Sequence, residues 1–71
     1  MPRYLITTPR ALRGRVATAH DAVRDAPGVE VINAGDPDMV TIETSAETAA
    51  ELKRKLGATH FVDPETRHRL Q

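Results

Sequence analysis

The side chains of this chain that could do chemistry are few, and none has the spacing that a catalytic or metal site needs. His20, His60 and His68 lie on different stretches, so no two share a helix turn or neighbouring strand positions as metal ligands would. Ser45 is the only serine, and the sequence places no histidine or carboxylate to activate it as a nucleophile. We therefore expect no metal centre and no enzyme.

Nucleotide and nucleic-acid binding are not indicated either. The four glycines are scattered, so there is no glycine-rich loop for a phosphate, and no cofactor is expected. The 10 basic side chains are balanced by 10 acidic ones, which leaves no overall field for a polyanion. The stretch 39–43 has no aromatic residue on which a base could stack, and the stretch 3–8 has only Tyr4. We expect no nucleic-acid partner.

Length and composition predict one small domain in a reducing compartment. A chain of 71 residues forms a single domain with a marginal core. The absence of cysteine excludes disulfides, which small secreted domains often carry. No apolar run is long enough for a signal peptide or a membrane span. These features favour a cytoplasmic protein with no membrane partner.

The first part of the chain predicts a strand and a helix. Residues 3–8 are rich in aromatic and β-branched side chains, which favour a strand. Over positions 9–26 apolar residues recur in steps of three and four, which predicts one helix, and Gly14 is expected to loosen its first turn. Pro27-Gly28 ends this helix. The apolar stripe consists of Leu12, Val16, Ala19, Val23 and Ala26.

The middle of the chain predicts a hairpin and a second helix. Residues 29–32 and 39–43 are predicted strands, and the segment 33–38 between them is rich in turn residues. Thr44 opens a capping box, which predicts a helix that runs to Leu56.

A last strand and a tail complete the chain. The strand is predicted over residues 60–62, and Asp63-Pro64 is expected to break its ladder because proline has no amide to donate. The last five residues are polar and without period. We therefore divide the chain into a domain, residues 1–66, and an extended tail, residues 67–71.

The order β-α-β-β-α-β predicts an α+β fold, a ferredoxin-like sandwich. A four-stranded antiparallel sheet would carry two helices on one face, with the first and third strands in the centre. The other face of the sheet would stay open.

This open face is the first candidate contact surface. Alternation turns every second residue of the third strand away from the helices. The parity of the first strand allows either Tyr4 and Ile6 or Leu5 and Thr7 to join them, and we favour the former. Such an apolar patch is typical of a contact site, although small domains also expose apolar side chains without a role. The predicted contact residues are Tyr4, Ile6, Ile32, Met39, Thr41 and Glu43.

The tail is the second candidate. A chain terminus is often simply frayed. An extended peptide can also bind another protein by adding a strand to a sheet edge, as a substrate does in a protease cleft.

Four stretches of the chain, taken in order, resemble one family. They are the first strand Arg3–Thr7, the first helix with its turn at 27–29, residues 49–53 of the second helix, and residues 61–65. Together they are similar to the subtilisin propeptides and the stand-alone protease inhibitors that share their fold. The start at Met1 without a signal segment favours a stand-alone inhibitor.

The resemblance implies how the domain would dock. In this family the open sheet face packs on two surface helices of the protease, and nearby acidic residues cap those helices. Asp36, Asp38 and Glu43 are the candidates for that role here.

The resemblance also implies a role for the tail, which consists of Arg67, His68, Arg69, Leu70 and Gln71. In the family it lies in the active-site cleft like a cleavage product. Carried over by position, Gln71 fills the primary specificity pocket, Leu70 and Arg69 run back from it, and His68 takes the fourth subsite.

We therefore expect a propeptide-like inhibitor of a subtilisin-type serine protease, with a role in the folding of that protease left open. The alternative is a non-inhibitory interaction module, or a homodimer, that uses the open sheet face. A small-molecule regulatory domain is a third reading, for which the sequence offers no recognisable pocket.

Overall fold

The structure is a computed structural model that describes residues 2–65. Segments that contain β-branched or aromatic side chains form four strands, and two segments that start at a hydroxyl cap form helices. In chain order the elements are β1 (Arg3–Thr7), a 3₁₀ turn (Arg10–Leu12), α1 (Ala19–Val23), β2 (Glu30–Asp36), β3 (Met39–Glu43), α2 (Ala46–Leu56) and β4 (Phe61–Pro64).

The strands form one sheet in the order β2-β3-β1-β4, and every neighbouring pair is antiparallel. β1 and β3 are therefore the central strands, while β2 and β4 are the edges. A helix lies in each of the two crossovers, from β1 to β2 and from β3 to β4. This is the ferredoxin-like arrangement, so the predicted α+β fold is confirmed.

The core lies between the helices and one face of the sheet. Alternate residues of the strands point to this face, and both helices contribute small or branched side chains to it. Both helices therefore cover the same face, and the opposite face stays open. The buried cluster consists of Ile6, Ala19, Val23, Val40, Ile42, Leu52 and Val62.

The first helix is much shorter than its apolar stripe predicts. After β1 the chain forms the 3₁₀ turn, passes through Gly14 with φ of 83°, and becomes α-helical only at Ala19. Thr18 sets this start, because its side chain accepts a hydrogen bond from the Asp21 amide at 3.1 Å. The Thr8 hydroxyl also accepts from the Ala19 amide, at 2.9 Å. A left-handed glycine cannot continue a helix, so the prediction of one long helix is wrong.

The second helix begins one residue later than the capping box predicts. Ser45 is the N-cap, and its side chain accepts from the Thr48 amide at 3.2 Å. Thr44 is buried instead, and its hydroxyl donates to the Gly28 carbonyl at 2.7 Å. This bond ties the start of α2 to the turn before β2. The predicted end of the helix at Leu56 is confirmed.

The hairpin is confirmed, but its first strand is longer and less regular than predicted. β2 continues through the segment that the sequence assigns to the turn, with register shifts on both sides of Asn33. Each shift absorbs one extra residue as a bulge. The tight turn is Pro37-Asp38, where the Asp36 carboxylate accepts from the Asp38 amide at 2.9 Å.

β4 runs from Phe61 to Pro64, so the proline lies inside the strand. The Glu65 amide donates to the Arg3 carbonyl at 2.9 Å, and by alternation residues 61 and 63 also bond to β1. Pro64 therefore turns its nitrogen to the free edge, where no donor is needed. The prediction that Asp63-Pro64 breaks the ladder is wrong.

Candidate functional site

The open face of the sheet is the candidate site, and the strand registers define its layout. Residues paired across neighbouring strands project from the same face, so the face can be described as three rows. Glu65 continues the last row, because its amide bonds to the carbonyl of Arg3. The apolar row holds Phe61, Thr7, Met39 and Asp36; the middle row holds Asp63, Leu5, Thr41 and Asn33; the acidic row holds Glu65, Arg3, Glu43 and Glu30.

Two of the predicted contact residues lie on the other side of the sheet. Ile6 has 0% exposure and belongs to the core cluster, and Tyr4 packs against that cluster. Their partners on β3, Ile42 and Val40, are both fully buried. The placement of Tyr4 and Ile6 on the open face is therefore wrong. The physical reason is that this pair has more apolar area to bury under the helices than Leu5 and Thr7 have.

The other predicted contact residues are accessible. Met39 is 45% exposed on the open face, and Thr41 and Glu43 follow it on the same strand with partial exposure. Ile32 on the edge strand β2 is 38% exposed. The alternation predicted for β3 thus describes Met39, Thr41 and Glu43 well.

Phe61 is a surface residue that sequence reasoning missed as a contact. It is 56% exposed and lies in the apolar row, where Thr7 separates it from Met39. The signal was available, because Val62 is buried and alternation then turns Phe61 outward.

The charges of the open face are strongly unbalanced within the described residues. Five of the ten acidic side chains of the chain lie there, with Arg3 as the one basic residue. Arg3 Nε is 3.8 Å from Glu43 Oε2, a partly exposed pair of little energetic weight. The acidic residues are Glu30, Asp36, Glu43, Asp63 and Glu65.

The two edges of the sheet are poor places for an added strand. On β4, Pro64 offers no outward amide, and on β2 the two register shifts interrupt the regular row of backbone groups. Among the described parts of the chain, the face therefore offers a partner more than the edges do.

The histidine and serine side chains that could do chemistry have structural partners. His60 is buried, with Nε2 at 2.8 Å from the Ala17 carbonyl and Nδ1 at 2.8 Å from the Thr59 hydroxyl. Because a carbonyl only accepts, Nε2 carries the hydrogen. Ser45 caps α2. Across residues 2–65, no group of three or more histidine or carboxylate side chains could hold a metal ion.

The predicted protease-binding tail, residues 67–71, lies outside the described residues. The point from which the chain leads to it is described. Glu65 is still held by the backbone of Arg3 at 2.9 Å, at the acidic end of the open face. The departure point of the chain is thus fixed to the sheet.

A shallow cavity of about 210 Å³ lies between α2 and the β4 edge. Three alanines of α2 line this cavity, and Tyr4 and Lys53 are the only lining residues that have polar atoms in their side chains. Such a lining gives a small-molecule ligand few groups to recognise. The lining residues are Tyr4, Ala46, Ala49, Ala50, Lys53, Val62 and Pro64.

α2, with 11 residues, is longer than α1, and neither helix of the described chain is long and apolar enough to cross a membrane.

Comparison with known proteins gives no relative: no family model, no curated protein and no solved structure matches this chain.

Proposed function

We propose that this protein is a propeptide-like inhibitor of a subtilisin-type serine protease, that it acts in the cytoplasm, and that it is not itself an enzyme. The observation that carries the proposal is the junction between the sheet and the tail. The last described residue, Glu65, is bonded to the backbone of Arg3 at 2.9 Å, beside an open sheet face. A tail that starts from a fixed strand end loses less entropy on binding than a free peptide does.

In this proposal the tail enters the protease cleft as an added strand, with Gln71 in the primary specificity pocket and His68 in the fourth subsite. The open face contacts the protease surface next to the cleft, and Phe61 and Met39 supply its apolar area. An inhibitor that binds the folded protease and not its unfolded chain also stabilises the folded form of the protease. This is the physical basis of a role in the folding of the protease.

The stability of the domain sets how long the inhibition lasts. A core of this size supplies only about 3–5 kcal/mol without disulfides. Once the domain opens, its strands become substrates for the protease that it inhibits. The proposal therefore predicts inhibition that fades with time, faster for destabilised variants.

The test is a titration of the protein into a subtilisin-type protease with a chromogenic substrate. The full chain is compared with the chain that ends at Glu65, and with a full-length control in which Leu70 and Gln71 are both changed to Asp. We expect stoichiometric inhibition by the full chain, and inhibition at least 100-fold weaker from the other two. Equal inhibition by the chain ending at Glu65, or none by any form, would contradict the proposal.

A second candidate is a non-inhibitory interaction module or homodimer that uses the open face. It is favoured by the exposure of Phe61 and Met39, 56% and 45%, in a single row. Removal of the tail distinguishes the two candidates, because association through the sheet face would survive it. Sedimentation of both forms at several concentrations measures this.

A further inference from the structure

We propose that the open face selects a protein partner whose contact surface presents lysine or arginine side chains beside apolar ones, and that it disfavours a second copy of this chain. This inference rests on the proposed function in taking the open face as the contact surface. It adds the chemistry of the partner, which follows from where the charges lie.

The chain is neutral overall, but the charges of residues 2–65 are sorted between the two faces of the domain. Half of the acidic side chains and only one basic side chain of the described residues lie on the open face. Arg67 and Arg69 lie outside the described residues. The other basic side chains lie on the 3₁₀ turn, the loop that follows it, the C-cap of α1, and α2. They are Arg10, Arg13, Arg15, Arg24, Lys53, Arg54 and Lys55. A partner that approaches the sheet therefore meets a negative surface, although the net charge is zero.

The acidic row contains a conflict that a cationic partner would relieve. Glu30 lies directly opposite Glu43 in the β2–β3 register, and like charges at such positions repel. Arg3 approaches Glu43, at 3.8 Å, whereas Glu30, Asp63 and Glu65 have no ion pair within residues 2–65. A lysine or arginine from a partner would gain these carboxylates without displacing an internal cation.

The apolar row lies at the other end of the same strands. Phe61 and Met39 are exposed there, and Leu5 and Thr41 of the middle row lie between them and the acidic row. Asp63 at one end of the middle row and Asp36 at one end of the apolar row are the remaining carboxylates of the face. A surface with a negative end and an apolar end fits a partner that is itself amphipathic and basic. A purely basic polymer would leave the apolar row uncovered.

The same layout argues against a face-to-face dimer. A two-fold contact would enclose the five carboxylates of each copy in one interface, with only one arginine from each copy. Like charges placed together across an interface oppose association. The face is therefore suited to a different protein rather than to itself.

The experiment is an NMR titration of the full chain with a synthetic amphipathic Lys/Leu peptide, and with a Glu/Leu peptide of the same length and pattern. We expect the Lys/Leu peptide to shift open-face residues of β1 and β3, and the Glu/Leu peptide to bind at least tenfold more weakly. The open-face variant Glu30→Gln, Asp63→Asn, Glu65→Gln should raise the dissociation constant for the Lys/Leu peptide about tenfold, which corresponds to about 1.4 kcal/mol.

The matched control is the variant Asp25→Asn, Glu47→Gln, Glu51→Gln, which changes the net charge equally on the helix side of the molecule. It should bind the Lys/Leu peptide within twofold of the unaltered chain. Shifts confined to the helices, an equal loss in both variants, or equal binding of the two peptides would overturn the inference.

Failure of this inference can be told apart from failure of the proposed function. If the full chain inhibits the protease and the open-face variant inhibits it equally well at low salt, the inhibitor stands and the charge inference falls. If no inhibition occurs but the Lys/Leu peptide binds the face as described, only the inhibitor proposal falls. Dimerisation of the unaltered chain is the last outcome to check. If the chain forms a dimer whose dissociation constant is the same at low and high salt and the same in the open-face variant, the argument against a second copy falls.

Discussion

The orientation of β1 can be tested by making one identical change on two isoleucines. Ile6 and Ile32 were both expected at the contact surface, but Ile6 has 0% exposure in the core whereas Ile32 is 38% exposed on the edge strand. Replacing each by valine removes a single methyl group. The two variants therefore differ only in where that methyl lies.

The magnitude follows from burial. Ile→Val in a core costs about 1 kcal/mol, because it removes buried apolar surface and leaves a small cavity. A domain of this size has only about 3–5 kcal/mol of stability. Ile6→Val should therefore lower the midpoint of thermal unfolding by about 4–8 °C. Ile32→Val should change the free energy of unfolding by less than about 0.5 kcal/mol, because the side chain is already partly in water.

The assay is thermal and urea unfolding followed by circular dichroism, on both variants and the unaltered chain. Equal effects from the two changes, or a larger effect at Ile32, would refute the orientation of β1. In that case Tyr4 would return to the open face with Ile6, and Leu5 would belong to the core.

Three further outcomes test local features. Ser45→Ala should lower the free energy of unfolding by about 1 kcal/mol in urea, because α2 loses its N-cap. Gly14→Ala should lower the free energy of unfolding by about 1–2 kcal/mol, because Gly14 has φ of 83°. Gly35→Ala, at a residue without positive φ, should leave it nearly unchanged, and similar losses in the two variants would contradict the left-handed turn at Gly14. In the neutral ring of His60 the hydrogen should reside on Nε2, which long-range ¹H–¹⁵N spectra report; a hydrogen on Nδ1 would contradict the bond to the backbone carbonyl.

The fold could be predicted because its signals are redundant along the chain. Four short apolar runs, two helical periods and the turns between them all agree with one order of elements, and that order permits few topologies. Small errors in the bounds of β2 and β4 did not change the order. The alternation of β3, with Val40 and Ile42 inward, also followed directly from its sequence.

The first helix failed because two signals compete within one segment. The apolar steps of three and four favour a helix, but Gly14 adopts a left-handed conformation and Thr18 caps a new start. A periodic pattern does not show where hydrogen bonding is interrupted. The stripe still marks the buried side, since Ala19 and Val23 lie in the core.

The candidate site was predicted in part for a similar reason. Periodicity identifies two faces of β1 but not which face the helices cover, and that depends on apolar area summed over the whole core. The exposure of Phe61 follows from alternation with Val62, but the sorting of charges between the faces required the registers of all four strands. Single-strand patterns do not contain that information.

Occupation of the protease cleft can be measured directly with the unaltered chain. Its affinity for a subtilisin-type protease with a free cleft is compared with its affinity for the same protease whose cleft is filled by a covalent peptide inhibitor. If the tail lies in the cleft, filling the cleft should weaken binding at least 100-fold, although the surface that meets the open sheet face is unchanged. Equal affinity for the two forms would contradict the inhibitor proposal and leave the open face as the contact.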